Sequence, residues 1–440
     1  VGTDVCRLVH GDALDVARAL AAEGHLGRAD LVYVDPPFAS QAEYVHEARI
    51  DGPADGRVLR TAAYDDRWNG TAGIGEYLDM LAPRLEAAAR LLAPTGTLWV
   101  HVDWRASYLV RVVLDELLGR EGFVNEIVWR RAPNLGRQAA SHQFGRTLDT
   151  LVVYGREEAR LVPPTRLEPI ERSAVRWDEQ GRPFTAAPRG DYTDASIARL
   201  EGEGRVHRTA SGKVYVKYFL VKDAEGQLCR ERRVDALWTD VAPLRHASAS
   251  ERTGFPTQKP RRLLERVVAC ASRPGGLVVD LFCGSGTTGE AAFALGRRAV
   301  LADVSGLAIA TARARLLRAE VPLFVQECVD GTEALERAGG CGGRAPRTKP
   351  ADSGVRCSVT REGPRVRLQL REPAEPLAWA VDRAHRAGEP FRVAWHAERA
   401  PGSRAKQAAR EATIDDAPGP VAIRVWYDDG RVATQIEEPA

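Results

Sequence analysis

The sequence predicts an α/β protein built on a mostly parallel sheet, and three observations carry that prediction. Apolar strand-like runs alternate with segments of helical periodicity through the first 155 residues, and the alternation resumes after about residue 240. The stretch between them is rich in turns and short strand-like pieces, as an inserted β-rich subdomain would be. Finally, VVDLFCGSGTTGEA (278–291) runs a strand into a glycine turn and then a helix, the grammar of a parallel sheet with crossover helices.

In chain order, CRLVHGD (6–12) reads as a strand, ALDVARALAAEG as a helix and DLVYVD as the next strand. GEYLDMLAPRLEAAARLL keeps helical spacing despite Pro83, which is expected to kink it or mark a junction. GTLWVHVD (96–103) is a strand, RASYLVRVVLDELLG a helix, and NEIVWRR and TLDTLVVYGR two later strands. From about 157 to 240 come PPTRLEP, DEQGRPF, APRGDY and EGEGR, with GKVYVKYFLVKD between them. KPRRLLERVVACA is then a helix, GLVVDLF a strand, TTGEAAFALG a helix, RAVLADV a strand and GLAIATARARLLRAE a helix. ERAGGCGGRAPRTKPADSG (336–354) has a linker's composition, and VRLQL, FRVAWH and VAIRVWYDD suggest a small α+β C-terminal domain.

Composition narrows the function classes. With 440 residues, 44% hydrophobic and 28% charged, the chain has the make-up of a globular protein with several domains. No run of about 18 apolar residues and no signal-peptide pattern occur, which leads to the expectation of a cytoplasmic protein without a membrane partner. The seven cysteines form no C-x-x-C pair, so neither a zinc cluster nor a disulfide framework is expected. A net charge of +2 means that any polyanion footprint is local. The candidate is WRRAPNLGRQAASHQFGR (129–146), with Arg130, Arg131 and Arg137 as phosphate contacts and a solvated arginine-rich loop as the plain alternative.

Two short stretches carry the chemistry. ADLVYVDPPF ends a buried-type strand on a carboxylate, two rigid prolines and an aromatic ring: Asp35, Pro36, Pro37 and Phe38. The glycine turn Gly284-Ser285-Gly286 lets the backbone approach a ligand closely, and exposed N–H groups at the following helix start favour a polar or anionic group. It lacks the third glycine of the dinucleotide fingerprint. Asp303 ends the next strand, where a carboxylate can accept from both hydroxyls of a ribose.

HGDAL, VYVDPPF, HVDWRAS with VLDELLG, FVNEIVW, ERTGFPTQKP and DLFCGSGTT follow one another in this order. From about residue 6 to 320 the chain resembles the beta group of site-specific DNA amino-methyltransferases of restriction-modification type, in which a (D/N/S)PP(Y/F) tetrad precedes the cofactor loop. The resemblance implies a Rossmann-like S-adenosylmethionine-dependent methyltransferase fold with circularly permuted motif order. It makes 1–156 a catalytic half, 157–240 an inserted target-recognition region and 241–335 a cofactor-binding half, followed by the linker (336–354) and accessory domain (355–440) that composition suggests. It also implies that S-adenosyl-L-methionine is wrapped by Phe282, Cys283, Gly284, Ser285, Gly286 and Thr287, with Asp280 at the loop base. Asp303 and Val304 would serve its ribose, Asp12 and Ala13 its adenine, and Thr257, Lys259 and Pro260 its methionine end. Leu281 and Ala39 depart from the common pattern, which has Pro and Asn there.

For the tetrad the resemblance implies a specific task. An adenine amino nitrogen is a poor nucleophile because its lone pair is spread into the ring. Hydrogen bonds accepted by the Asp35 carboxylate and the Pro36 carbonyl would localise that pair, and the prolines fix the carbonyl's direction. Phe38 would stack an extruded base, returning about 1–3 kcal/mol of the unstacking cost. The expected reaction is transfer to adenine N6 in double-stranded DNA, with cytosine N4 as the alternative, and an RNA or protein amino-methyltransferase or an inactive DNA-binding module as rivals. A restriction or defence-system protein and a second copy of this chain are candidate partners, and a location with the nucleoid follows. His101, Asp103, Trp104 and Arg105 read as a structural hydrogen-bond cluster, and Trp129, Trp177 and Trp238 as packing residues.

Overall fold

The computed structural model describes residues 6–40, 43–50, 57–66, 68, 73–134, 142, 144–209, 211–319, 321, 324–329, 355–362, 365–372, 378–383, 395–398, 409–415, 420–426 and 432–437. Arg137 and the linker 336–354 lie outside these residues. The first half of the α/β region comprises β1 (Cys6–His10), α1 (Ala13–Ala22), β2 (Ala29–Val34), the hairpin β3 (Glu43–Ile50) and β4 (Arg57–Asp65), α2 (Gly73–Leu91), β5 (Leu92–Asp103), α3 (Ser107–Leu118), β6 (Phe123–Arg130) and β7 (Leu148–Gly155). α2 runs on through Pro83 as one helix, so no junction occurs there.

A separate compact unit spans Pro163–Asp235. It holds β8 (Thr165–Pro169), β9 (Arg176–Trp177), β10 (Pro183–Pro188), α4 (Asp194–Gly202), β11 (Val206–Arg208), β12 (Val214–Lys222) and β13 (Leu228–Arg233), its strands joined in one antiparallel sheet. Ile197 and Leu200 of α4 close a small core on Val216. The unit is narrower than the turn-rich segment because both flanks return to the α/β region. The Val162 amide donates to the Cys270 carbonyl, and β14 (Leu237–Trp238) pairs with β6.

The second half supplies α5 (Arg261–Ala271), β15 (Leu277–Asp280), α6 (Thr287–Ala294), β16 (Arg298–Asp303), α7 (Gly306–Arg318) and β17 (Phe324–Cys328). Nine strands form one sheet in the order β14-β6-β7-β5-β2-β15-β16-β1-β17. From β5 to β17 neighbours run parallel, while β7 is antiparallel to both β5 and β6. Val32, Val34, Val279 and Val300 join a core with Val16 and Leu20 of α1, Tyr77, Leu81 and Leu85 of α2, and Val110 and Leu114 of α3. Leu31, Tyr33, Val278 and Leu301 alternate with them and are equally buried outside that cluster. The sheet is therefore covered on both faces, as parallel strands require.

The C-terminal part shows only strands among the described residues: β18 (Arg356–Glu362), β19 (Arg365–Glu372), β20 (Ala378–Asp382), β21 (Trp395–Glu398), β22 (Glu411–Ile414), β23 (Val421–Trp426) and β24 (Val432–Glu437). They make a three-stranded and a four-stranded antiparallel sheet around Leu368, Trp379 and Ile423. No helix among the described residues is long and apolar enough to cross a membrane.

Candidate active site

Chain order separates the tetrad from the glycine turn by some 250 residues; sheet order makes them neighbours. β2 and β15 pair in parallel register, Val278 with Leu31, Val279 with Val32 and Asp280 with Tyr33. β16 and β1 continue the row, with His10 opposite Asp303. Asp35, Asp280, Asp303 and Asp12 therefore stand at, or one or two residues past, the carboxyl ends of four adjacent parallel strands, where open α/β sheets bind their ligands.

The tetrad is a stiff loop held by one buried carboxylate. Asp66, 1% exposed, accepts from the backbone N–H groups of Phe38 (3.1 Å), Ala39 (3.0 Å) and Ser40 (2.8 Å) and from the Trp68 indole (2.9 Å). Tyr77 of α2 donates its hydroxyl to the Pro37 carbonyl at 2.9 Å. Ala39 has φ +53°, a left-handed conformation that costs a non-glycine residue roughly 1 kcal/mol. The donors converging on Asp66 hold it there. Asp66→Ala leaves those donors without their acceptor, and a loss of roughly 2–4 kcal/mol is expected in urea unfolding. A loss below about 0.5 kcal/mol, ordinary for a surface change, would contradict this role.

Asp35 itself is ion-paired. Lys259 Nζ lies 2.5 Å from Asp35 Oδ2, whereas Asp35 Oδ1 is buried and accepts no hydrogen bond from a described residue. Lys259 Nζ also sits 5.0 Å from the centroid of the Phe38 ring, which is half-buried. Pro36 is buried and Pro37 partly so. The sequence-based placement of Lys259 at the methionine end of a cofactor is thus joined by an observed contact to the tetrad.

Below Phe38 runs a buried polar chain. Its ring lies 6.0 Å from that of His101, which stacks edge-on against Trp129 at 5.9 Å. The Tyr33 hydroxyl is 2.7 Å from His101 Nδ1, and His101 Nε2 is 3.4 Å from Asp149 Oδ2. Burial, with the charges of Asp35, Asp280 and Asp149, pushes the Tyr33 phenol well above its usual range, so its hydroxyl keeps its proton. Burial opposes a charge on Asp149, but His101, Lys259 and Arg131 outweigh it and hold this carboxyl below the usual range. Arg131 Nε approaches Asp149 Oδ1 at 2.7 Å. The HVDWRAS stretch thus contributes a hydrogen-bond cluster, as expected, with Asp103 paired to Arg105.

The glycine turn is built on two more carboxylates. Asp280, 1% exposed, accepts from the Phe282 N–H at 3.0 Å and the Thr288 hydroxyl at 2.5 Å. Asp303 accepts from the N–H groups of Gly284 (2.9 Å) and Ser305 (2.8 Å). Gly284 and Gly286 have φ +48° and +76°, and a Cβ on Gly286 would stand 2.7 Å from that of Ala312, so glycine is required there on both counts. Cys283 is buried and its N–H donates to the Ala302 carbonyl; Ser285 and Thr287 are buried with hydroxyls 3.2 Å apart. Phe282 is half-buried. The Val304 carbonyl accepts from His10 Nε2 at 3.0 Å.

Asp12 caps α1 by accepting from the Leu14 N–H at 2.9 Å and pairs with Arg84 at 2.5 Å, while Ala13 is buried beside it. Thr257 is exposed and left-handed at φ +65°, and Pro260 caps α5. Arg130 is exposed, whereas Arg131 is engaged with Asp149. Trp129 and Trp238 are each 3% exposed, as expected of packing residues, but Trp177 is 62% exposed on the short strand β9. Its strand is only two residues long and lies at the edge of its sheet beside β10, which corrects the expectation of burial.

Burial lifts Asp280 to about 7 and Asp303 to about 6, despite the hydrogen bonds that oppose it. Both folded-state values exceed the ordinary carboxylate value of 3.8, so between about pH 4 and 7 the native state binds more protons than the unfolded one. These groups then make the free protein less stable as pH rises through that window. Asp280→Asn removes one of them. Its melting temperature relative to wild type is expected to climb as pH goes from 4 to 8, and a pH-independent difference would contradict the assignment.

Three comparisons bear on this arrangement. The family model described as DNA methylase, of N6/N4 type, matches residues 29–312. The chain is 26% identical to Type II methyltransferase M.EcaI of Enterobacter cloacae, over 67% of this chain and 66% of that protein. It is 24% identical to the Mod subunit of the Type III restriction-modification enzyme StyLTI of Salmonella typhimurium, over 65% of this chain and 49% of that protein. The matches thus span less than two thirds of either relative. Among solved structures, the crystal structure of an M1.HpyAVI–SAM complex is 16% identical, covers 71% of this chain and 99% of its own, and superposes with a TM-score of 0.41.

Proposed function

The chain belongs to the DNA methylase family of N6/N4 type, and from that premise we propose that it transfers a methyl group from S-adenosyl-L-methionine to an exocyclic amino group in double-stranded DNA, adenine N6 before cytosine N4. The observation that carries the reading is the parallel pairing of β2 with β15, which sets the Asp35 tetrad beside the glycine turn.

The residues at the strand ends fit the cofactor. Gly284 and Gly286 keep side chains out of the turn, and the half-buried Asp303 carboxylate, bonded to the Gly284 N–H, stands at the end of the neighbouring strand, where it can accept from ribose hydroxyls. Asp280 braces the loop through Phe282 and Thr288. Phe282, Ser285, Thr287, Val304, Asp12 and Ala13 complete the proposed wall. When bound, the cofactor supplies a methyl group made electrophilic by a sulfonium. The chain's own residues prepare the acceptor. Asp35 Oδ1, buried and without a hydrogen bond from a described residue, can take one from the target amino group. The Pro36 carbonyl, fixed by the prolines and the Asp66 bracket, can take the second. Phe38 offers a face for the flipped base, backed by His101. The amino nitrogen's surplus proton leaves past Asp35 Oδ1 to solvent.

DNA contact is proposed for exposed Arg130, and for Arg131 and Arg137 in the basic loop, as phosphate contacts that position the duplex. Target recognition is proposed for the Pro163–Asp235 unit, whose exposed Trp177 offers a stacking face. The proposed setting is the cytoplasm, at the nucleoid, with a restriction subunit or a second copy of this chain as partner.

The test is transfer of labelled methyl from the cofactor to duplex DNA, followed by identification of the modified base. N6-methyladenine is the expected product. N4-methylcytosine would move the assignment to the other branch of the family, and label in RNA or protein alone would refute it.

A further inference from the structure

We propose that Lys259 is a positioning residue for the tetrad: by holding Oδ2 of Asp35 it presents Oδ1 to the target amino group. This rests on the methyl-transfer reading above. The ammonium and the carboxylate meet at 2.5 Å with side chains only 10% and 17% exposed, so each charge depends on the other for compensation. The second carboxylate oxygen is buried and takes no hydrogen bond from a described residue. An unpinned carboxylate can rotate and offer either oxygen to a substrate; one clamped at Oδ2 has a single acceptor left. The same ammonium lies 5.0 Å from the Phe38 ring centroid, where a cation–π attraction steadies the proposed stacking face.

The lysine is itself held from several sides. Gln258, next to it, accepts from the N–H and hydroxyl of Thr253 and donates to the Glu251 carbonyl at 2.7 Å. The Lys259 carbonyl accepts from the Thr287 hydroxyl at 3.3 Å, which ties this turn to the first residue of α6. Lys259 Nζ also reaches the Thr257 carbonyl at 3.4 Å. One residue thus links the helix that follows the glycine turn, through its backbone, with the tetrad, through its side chain. A role confined to the methionine end of the cofactor would not require the contact with Asp35.

Lys259→Gln and Lys259→Arg separate the two roles. Under the positioning role, single-turnover methyl transfer to DNA at saturating cofactor falls roughly 10- to 100-fold in Lys259→Gln, the usual cost of losing a group that orients a reacting one. The cofactor Kd, titrated without DNA, stays within about threefold, and Lys259→Arg restores most of the rate. A Kd weakened with the rate at saturation unchanged would overturn the inference. Should wild-type protein bind cofactor yet methylate no DNA, the reaction fails, and the pairing is still read by a double-mutant cycle in urea unfolding. Lys259→Gln, Asp35→Asn and their combination are expected to be non-additive, the double variant losing less than the sum; additivity would overturn the pairing.

Discussion

Asp35→Ala is expected to lower methyl transfer by about a thousandfold or more while cofactor affinity changes by no more than a few fold. The asymmetry follows from geometry. Among the described residues Asp35 makes no direct hydrogen bond to the glycine turn, whose carboxylate acceptors are Asp280 and Asp303. It is, however, the charged acceptor of the tetrad, and its Oδ1 is the buried oxygen with capacity to spare. Alanine also strands the Lys259 ammonium without its counter-ion, so Asp35→Asn is the companion that preserves shape. Both variants are expected to lose the rate at saturating cofactor. Measured by single turnover, a rate within tenfold of wild type would remove Asp35 from the chemistry.

The converse pattern is expected for Asp303→Ala. That carboxylate organises the turn by accepting from Gly284 and Ser305, and it is the proposed ribose acceptor. Its loss should weaken cofactor binding roughly 100-fold, about 2.7 kcal/mol, from orphaned N–H groups and lost ribose contacts together. Asp303→Asn keeps one acceptor oxygen and should fall between. Because burial raises Asp303 to about 6, its acceptor form gains population above that pH, and cofactor affinity is expected to improve as pH rises through it. Equilibrium titration of cofactor at several pH values checks both statements; an unchanged Kd in Asp303→Ala would contradict them.

Much of this was legible in the sequence, for physical reasons that differ by element. The two-sided burial of the parallel strands makes runs such as DLVYV and LVVD continuous apolar segments, and the glycine turn announces itself because side chains do not fit there. The adjacency of β2 and β15 came from the resemblance, since no periodicity links residues so far apart. Asp66 was missed: it lies in YDDRW, where one acid next to another before a tryptophan carries no local signal of three backbone partners. The ion pair between Lys259 and Asp35 and the Tyr33–His101–Asp149 chain were missed for the same reason, being contacts between distant segments. Trp177 was misjudged because it lies on a two-residue strand at the edge of a small sheet, which an aromatic residue type does not report. The compact unit Pro163–Asp235 is narrower than the turn-rich segment 157–240 because residues at 157–162 and 236–240 bond back to the α/β region, which their irregular sequence does not report.

The most direct measurement is a crystal structure of the protein with S-adenosyl-L-methionine bound. The account places its ribose hydroxyls on Asp303 and turns its methyl group toward the space bounded by Asp35 Oδ1, the Pro36 carbonyl and Phe38. A cofactor bound elsewhere, or seated at the glycine turn with its methyl facing away from the tetrad, would contradict it.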